Sequence, residues 1–467
     1  MEKNNLVKSF IPNRDKKLDI LLSSAGFFPN SFGGGEVYVY SLAKELLRRS
    51  HNVTVFTPAK WNGQKDHYKV ESYKFENIPV VTYSLNPEVV SPEERHTGFG
   101  PLTIQILRKI LNERLPDIVH INGIKSALVG VCNELKIAHV VTAHHMGIAC
   151  PAGGLLRSDN SICDKPANFR DCVPCCSSLR APRWYTGWVL GHIPPRIYRP
   201  IGRALNNLKS LPYLGRGLIY PWLIEQSLVA EKILLEEAQL FIAPSMGIRE
   251  LLIRNGCKAE KITVIPHGIE PLNKLPIEKI ECRPIRFGYL GRIDPSKGLH
   301  VLLEALELLP SRNLCELHIF GATRNAWDEE YWKKTLNSYK KKAKVFSHGL
   351  IPHHRLIDVF SKIDILIVPS LLPEAFGLVV QEAFSAGRPV IVSKSGGPAE
   401  LVRDGVDGFV VERNNGKALA EAMQKFINNP ELIKKMSNQL KKVRTIQEYV
   451  NDIEKIYFRM VSTGKIS

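Results

Sequence analysis

Between Cys172 and Ile224 the chain carries no aspartate and no glutamate, although that stretch is rich in basic and aromatic residues. Acids are also the minority overall, 46 Asp and Glu against 63 Lys and Arg, which leaves a net charge of +17. Such a surplus attracts something anionic: nucleic acid, acidic lipid or a phosphorylated ligand. No zinc-finger, RNP or basic-zipper pattern accompanies it, so nucleic acid is not an expected partner. No uninterrupted apolar run is long enough to span a bilayer, and the first residues lack the apolar core of a signal peptide. A cytoplasmic protein is the expectation. No Asp-X-Asp pair offers a metal clamp, so no catalytic metal is expected, and no glycine pattern matches the dinucleotide fingerprint. Nine cysteines in a chain of this kind point to thiols or a metal site rather than to disulfides.

What is present is a repeated strand-loop-helix rhythm. At 467 residues the chain exceeds one core, so two domains are the default. Leu18–Ser24 reads as a buried strand, Phe27–Gly35 as a loop, Glu36–Ser50 as an amphipathic helix and Asn52–Thr57 as the next strand. Val80–Ser84, Ile118–Ile121, Val140–His144, Leu240–Pro244 and Lys261–Ile265 continue the strands, with helices at Leu102–Arg114, Lys125–Leu135 and Glu225–Glu237. Short Val/Ile-rich runs alternating with helices argue for a parallel sheet. The triple glycine Gly33-Gly34-Gly35 lies where a helix begins, so backbone N–H groups can meet a ligand with no Cβ in the way. His144 sits at a strand end, the usual place for working residues in such sheets.

The pattern restarts at Arg286–Leu290, followed by Gly291-Arg292-Ile293-Asp294-Pro295-Ser296-Lys297-Gly298 and the helix Leu299–Leu309. Two cations in a glycine-bounded loop after a strand suit a diphosphate, Arg292 as a fork and Lys297 as a point charge. Glu316–Gly321, Lys344–His348 and Ile365–Pro369 add strands, and Lys417–Asn428 and Glu431–Met460 read as closing helices. After Ile365–Pro369 a loop carries Glu374, a helix holds Glu382, and a second apolar run leads to Gly396-Gly397. The start of that helix, Phe376-Gly377-Leu378, presents free N–H groups to the same edge of the sheet. On a helix, an eight-residue spacing separates the two carboxylates by roughly 12 Å. That is too far for a catalytic dyad and suits one extended ligand touched at two places.

The stretch PEAFGLVVQEAFSAGRPVIVSKSGGPAELV resembles the signature of the family-four retaining glycosyltransferases, including its pair of Glu residues with seven residues between them. The loop Gly291–Gly298, the glycine loop with the segment EVYVYSLAKELLRRSHNVTVFTP, and VVTAHHMGIACP resemble further parts of that family. The resemblance implies α/β, GT-B architecture: two doubly wound Rossmann-like domains facing a cleft. It implies that Glu374 meets the transferred sugar, that Glu382 holds the ribose hydroxyls, and that His144 faces the reacting sugar. Arg292 and Lys297 would then neutralise the donor diphosphate, with Gly34, Gly35, Phe376, Gly377 and Leu378 also at the donor. The family commonly has Asp where this chain has His145, and Asn where it has His267. The implied reaction is retaining transfer from a UDP- or GDP-type sugar to a glycan or lipid-linked acceptor, in surface polysaccharide or glycolipid synthesis. A non-catalytic sugar-binding protein and a glycan phosphorylase are the competing readings.

The middle of the chain is unlike the rest. Cys150, Cys163, Cys172 and Cys175, with Cys176 adjacent, suit a closed tetrahedral structural zinc; an iron-sulfur centre or plain reduced thiols are the alternatives. The acid-free stretch interleaves Arg180, Arg183, Arg196, Arg199, Arg203, Lys209 and Arg216 with Trp184, Tyr185, Trp188, Tyr198, Tyr213, Tyr220 and Trp222. An anionic membrane surface, such as the inner leaflet, selects that mixture; an insertion packed on the domain explains it equally. The expected organisation is a disordered tail over 1–17 and an amino-terminal acceptor domain over 18–270, with the insert at about 150–224. A linker over 271–284 leads to a nucleotide-sugar-binding domain over 285–445, and a final helix over 446–467 crosses back.

Overall fold

The computed structural model describes residues 16–464 except 32, 63–65, 124, 158–160, 181–188, 190–191, 209–217, 278–282, 311–313 and 340–343. The tail expected over 1–17 therefore falls almost wholly outside the described residues, as do Arg183, Trp184, Tyr185, Trp188, Lys209, Tyr213 and Arg216. The chain forms two sheets. The first contains β1 (Asp19–Ser23), β2 (Asn52–Pro58), β3 (Tyr68–Phe75), β4 (Ile78–Leu85), β5 (Ile118–Ile121), β6 (Ala138–Thr142), β7 (Phe241–Ala243) and β8 (Ile262–Val264). Their order is β3-β4-β2-β1-β5-β6-β7-β8. The second contains β9 (Ile285–Leu290), β10 (Cys315–Phe320), β11 (Lys344–Ser347), β12 (Ile365–Val368), β13 (Val390–Ser393) and β14 (Gly408–Val411), in the order β11-β10-β9-β12-β13-β14.

Strands buried on both faces explain the continuous apolar runs. Leu21 belongs to one core cluster of the first sheet, while its neighbours Ile20 and Leu22 belong to the cluster on the other face. All pairings are parallel except β3 with β4. β3 and β14 are additions to the strands expected from sequence. β3 alternates Lys and Glu with Tyr and Val and lies at an edge, half exposed, so it lacks a buried strand's signal. In each sheet the strand order reverses once beside the first strand, between β1 and β5 and between β9 and β12. Such a reversal opens a crevice at the carboxyl ends of the strands.

The stretch Glu431–Met460, read as helical throughout, is two helices, Glu431–Gln439 and Ile446–Gly464. Between them the chain crosses back to the first sheet, where Ile269 and Thr445 form a parallel bridge. Thr445 and Glu448 then cap the last helix reciprocally: Glu448 N–H donates to Thr445 Oγ1 (3.1 Å) and Thr445 N–H to Glu448 Oε2 (2.9 Å). This helix lays Ile446, Tyr449, Val450, Ile453, Ile456, Tyr457 and Val461 into the core of the amino-terminal half. Tyr449 and Tyr38 hydroxyls meet at 2.6 Å, and Tyr457 reaches buried His120 at 2.6 Å. The acid-free stretch contributes the helix Pro195–Asn206, which packs on Tyr220–Glu237 through Tyr198, Ile219, Trp222 and Leu223. Gly202 lies so close to Trp222 that no side chain fits between them.

One ion cluster fastens the last helix to the first domain. Glu454 accepts from Arg49 Nη1 at 2.6 Å and lies 2.9 Å from His51 Nε2. Burial pushes its carboxyl up, but His51 and Arg49 outweigh burial and hold it below the usual range. A lowered carboxylate adds stability that is complete above the unfolded pKa of about 4.3 and is lost as pH falls through the folded value. Glu454→Gln is therefore expected to lose on the order of 1–2 kcal/mol at pH 7. In denaturation at stepped pH the difference from wild type narrows as pH falls below about 4.3; a constant gap down to pH 3 would contradict this account.

Candidate active site

The loops after β9 and β12 meet at the reversal of the second sheet. Asp294 accepts from Ser296 N–H at 3.0 Å and starts the short turn Pro295–Lys297. Gly298 follows at φ 70°, and a Cβ there would overlap the carbonyl oxygen of Pro369 at the end of β12. Only glycine permits both the left-handed backbone and that approach. Leu371 N–H donates to Ser296 O at 2.9 Å across the same seam. In consequence Lys297 Nζ lies 2.8 Å from Glu374 Oε1, the oxygen that also accepts from the Ser370 hydroxyl.

Glu374 is held by backbone as well. Its N–H donates to Ser395 O, and its carbonyl accepts from Gly397 N–H, each at 2.8 Å. Gly396 has φ 78°, and a Cβ there would stand 2.7 Å from Glu374 O. Burial pushes the Glu374 carboxyl up, but Lys297, Ser370 and Arg292 together hold it below the ordinary range, so it is ionised near neutrality. Arg292 Nε is 3.6 Å from Asp294 Oδ2, and Arg324 reaches the same oxygen at 3.6 Å. Arg324 follows β10 and is a third cation at this edge that sequence reasoning missed; its only signal was its place just beyond a strand.

Gly377, at φ 102°, begins the helix Leu378–Ser385 immediately after Phe376. Glu382 sits on the buried side of that helix with Oε1 3.1 Å from His353 Nε2. The two carboxylates thus have separate basic partners, Lys297 and His353, rather than each other. His353 was not singled out from sequence because it follows β11 by a short loop with no distinctive pattern.

The first domain supplies the facing wall. A Cβ on Gly34 would lie 3.9 Å from Leu378 Cδ1, so the glycine loop touches the start of the Glu382 helix; nothing lies within 4 Å of one on Gly35. The His144 ring packs against Tyr38 and His267, at 4.5 and 5.3 Å between centroids, and His267 meets Phe376 at 5.0 Å. Burial first, then repulsion that a proton on the ring would meet from its neighbours His267 and Lys125, holds His144 well below its usual pKa. Neutral, it donates through Nε2 to Asn122 Oδ1 at 2.7 Å, which leaves Nδ1 as an acceptor. Burial first, with the neighbouring His120 and Arg444 adding, pushes His267 down to about 3. Glu400 ties the halves together by accepting from the N–H groups of Met246 and Gly247 at 2.9 and 2.8 Å.

Arg292, Lys297, Glu374, Phe376, Gly377, Leu378 and Glu382 therefore share one edge of the second sheet, with Gly34 and His144 opposite. The four cysteines are elsewhere. Cys150 follows the turn Met146–Ile148, Cys163 sits beside the bridge Leu156–Ile162, and Cys172 and Cys175 lie on helix Phe169–Arg180. Burial, with Cys150 and Cys163 adding, pushes the Cys172 thiol up to about 12. Among the described residues no three His, Cys, Asp or Glu side chains are placed to hold a metal ion.

Residues 33–268 match the glycosyl transferase 4-like domain, and residues 274–443 match glycosyl transferases group 1. The first match alone covers half the chain. The chain belongs to the glycosyltransferase 4-like family. It is similar to a lipopolysaccharide 1,2-N-acetylglucosaminetransferase of Salmonella typhimurium, 37% identical over 26% of this chain and 33% of that protein. A capsular polysaccharide biosynthesis glycosyltransferase of Staphylococcus aureus is 29% identical over 51% of this chain and 62% of its own length. The matches thus span a third and just under two thirds of these relatives. Among solved structures, an Anabaena protein in complex with UDP and glucose superposes with TM-score 0.63 at 17% identity, over 94% of this chain and 99% of that one. Sucrose-phosphate synthase from Thermosynechococcus elongatus gives 0.67 at 19% identity, over 96% and 100%. These likenesses show the GT-B fold, two Rossmann-like domains about a central cleft. Among the described residues no helix is long and apolar enough to cross a membrane.

Proposed function

We propose that this glycosyltransferase-family chain moves a sugar, with retention of configuration, from a UDP- or GDP-type sugar to a glycan or lipid-linked acceptor. The observation that carries the reading is the Lys297–Glu374 pair, 2.8 Å apart beside Arg292 at the reversal of the second sheet. A donor diphosphate placed there meets Arg292, Lys297 and the helix start Phe376–Leu378. Its charge grows as the glycosidic bond breaks, so cations fixed in advance stabilise the departing group more than the intact donor. Glu374 orients the transferred sugar, Glu382 takes the ribose hydroxyls, and neutral His144 and the glycine loop close the opposite side. In retaining transfer without an enzyme-bound intermediate, the departing phosphate accepts the proton of the incoming hydroxyl on the same face. The names of the capsular and lipopolysaccharide relatives support a role in surface polysaccharide or glycolipid synthesis.

Arg292→Ala and Lys297→Ala are each expected to weaken calorimetric binding of the preferred nucleoside diphosphate about tenfold or more. Glu382→Ala weakens it through the ribose, whereas Glu374→Ala lowers turnover more than diphosphate affinity. Wild-type affinity in the Lys297 and Glu382 variants would contradict the assignment, and an inverted anomeric product by NMR would contradict retention.

The membrane reading rests on the helix Pro195–Asn206, which exposes Arg196, Ile197 and Arg203, with Val189, Leu208 and Leu218 exposed nearby. Flotation with phosphatidylglycerol vesicles but not phosphatidylcholine vesicles is expected; equal binding to both, or none, rejects it. A structural zinc on Cys150, Cys163, Cys172 and Cys175 is proposed from the four-cysteine pattern of the sequence, with Cys172 and Cys175 on one helix. Elemental analysis is expected to give close to one equivalent of zinc, and its absence rejects that staple.

A further inference from the structure

Two strands lie between β11 and β12, so the chain leaving β11 at the sheet's edge crosses back over β10 and β9 before β12 begins. His353 opens the turn His353–Arg355 on that crossing, and the helix Leu356–Ser361 follows. Leu356, Val359 and Phe360 of this helix are buried in one cluster with Val380, Ala383 and Phe384 of the helix that carries Glu382. Arg388, just beyond the Glu382 helix, donates from Nε to Phe360 O at 2.9 Å, so the two helices are tied at their carboxyl ends as well. Close packing of this kind fixes where the first residue of the crossing can reach.

His353 reaches the Glu382 carboxylate, with Nε2 3.1 Å from Oε1. A carboxylate only accepts, so the ring donates through Nε2. Arg355, two residues on, is occupied by Asp358 at 2.7 Å. The Glu382 side chain is 10% exposed and that of His353 40%, so the bond runs from a mostly buried acid to a ring at the border of solvent. Among the described residues no other hydrogen bond reaches this carboxylate, which leaves Oε2 and a second lone pair on Oε1 for a ligand. The last torsion of a glutamate is otherwise broad, and one fixed bond stops the carboxylate from turning. Both oxygens then keep a set direction when the hydroxyls of a ribose arrive, and the cost of ordering them has already been met by the fold.

We propose that His353 is a positioning residue for the donor: it holds the Glu382 carboxylate in the orientation that accepts from the ribose hydroxyls, and so makes the chain select a ribonucleotide over a deoxyribonucleotide donor. The proposal rests on the reading of Glu382 above and deepens it. His353 acts through Glu382 rather than on the ligand. A residue that merely held the two helices together would affect every ligand of the site alike, whereas one that orients Glu382 affects only ligands that offer it a hydroxyl.

Calorimetry on the full chain tests this with four probes: UDP or GDP, whichever wild type prefers, its 2′,3′-dideoxy analogue, and inorganic pyrophosphate. Wild type is expected to bind the ribose form about tenfold or more tighter than the dideoxy form, the size of one hydrogen bond to a charged group. His353→Phe keeps a ring and removes the donor; it is expected to weaken the ribose form about fivefold or more and to leave the dideoxy form and pyrophosphate within about twofold. His353→Gln, which restores an N–H donor, is expected to recover the ribose form to within about threefold of wild type. Glu382→Ala loses the discrimination, and adding His353→Phe to it changes nothing further, since the two act as one unit. The proposal is overturned if His353→Phe discriminates like wild type, if it weakens all probes equally, or if His353→Gln discriminates no better than His353→Phe. If Glu382→Ala loses discrimination while His353→Phe keeps it, the proposal alone falls. If Glu382→Ala discriminates like wild type, or wild type binds neither UDP nor GDP, the donor reading falls and the proposal with it.

Discussion

Backbone contact between Gly298 and the Pro369 carbonyl joins the loop after β9 to the end of β12. Because no side chain fits in that seam, Lys297 has little freedom over where its ammonium goes, and Glu374 receives it. Glu374 is fixed in turn by hydrogen bonds to the Gly396-Gly397 loop after β13. Three strand ends thus act as one rigid edge. Preorganised charge of this kind stabilises a departing anion without reorganising when it appears.

The facing wall is built differently. Tyr38, His144, His267, Phe376 and Tyr449 pack ring against ring across the cleft, and burial keeps the two imidazoles uncharged. One wall is therefore charged and hydrogen-bonded, the other aromatic and neutral. The last helix belongs by sequence to the second half but buries its apolar stripe in the first. Through it and Glu400 the relative placement of the walls depends on contacts between residues distant in the chain.

Much of this was legible in order. The Val/Ile-rich runs gave parallel strands because strands buried on both faces need little polar alternation. Arg292 and Lys297 could be nominated because they follow such a strand, where loops face the crevice, whereas Glu374 and Glu382 are singled out by the resemblance of their segment to the glycosyltransferase signature. The edge strand β3 was missed because its exposed, charged residues resemble a loop. Residues 440–445 read as helical within Glu431–Met460 because the periodicity on either side is strong, although Thr445-Ile446-Gln447-Glu448 carries the capping-box pattern.

The chain's own order of residues determined the two repeated α/β halves, the cationic loop and the spacing of the two glutamates, since these depend on neighbours only a few residues apart. Tertiary structure alone decided that Lys297 pairs with Glu374 and Glu382 with His353. It also decided that Arg324 joins the cationic edge. The reason is that a side chain's partner is set by which strand ends the sheet order brings together, and sheet order depends on long-range burial rather than on local pattern.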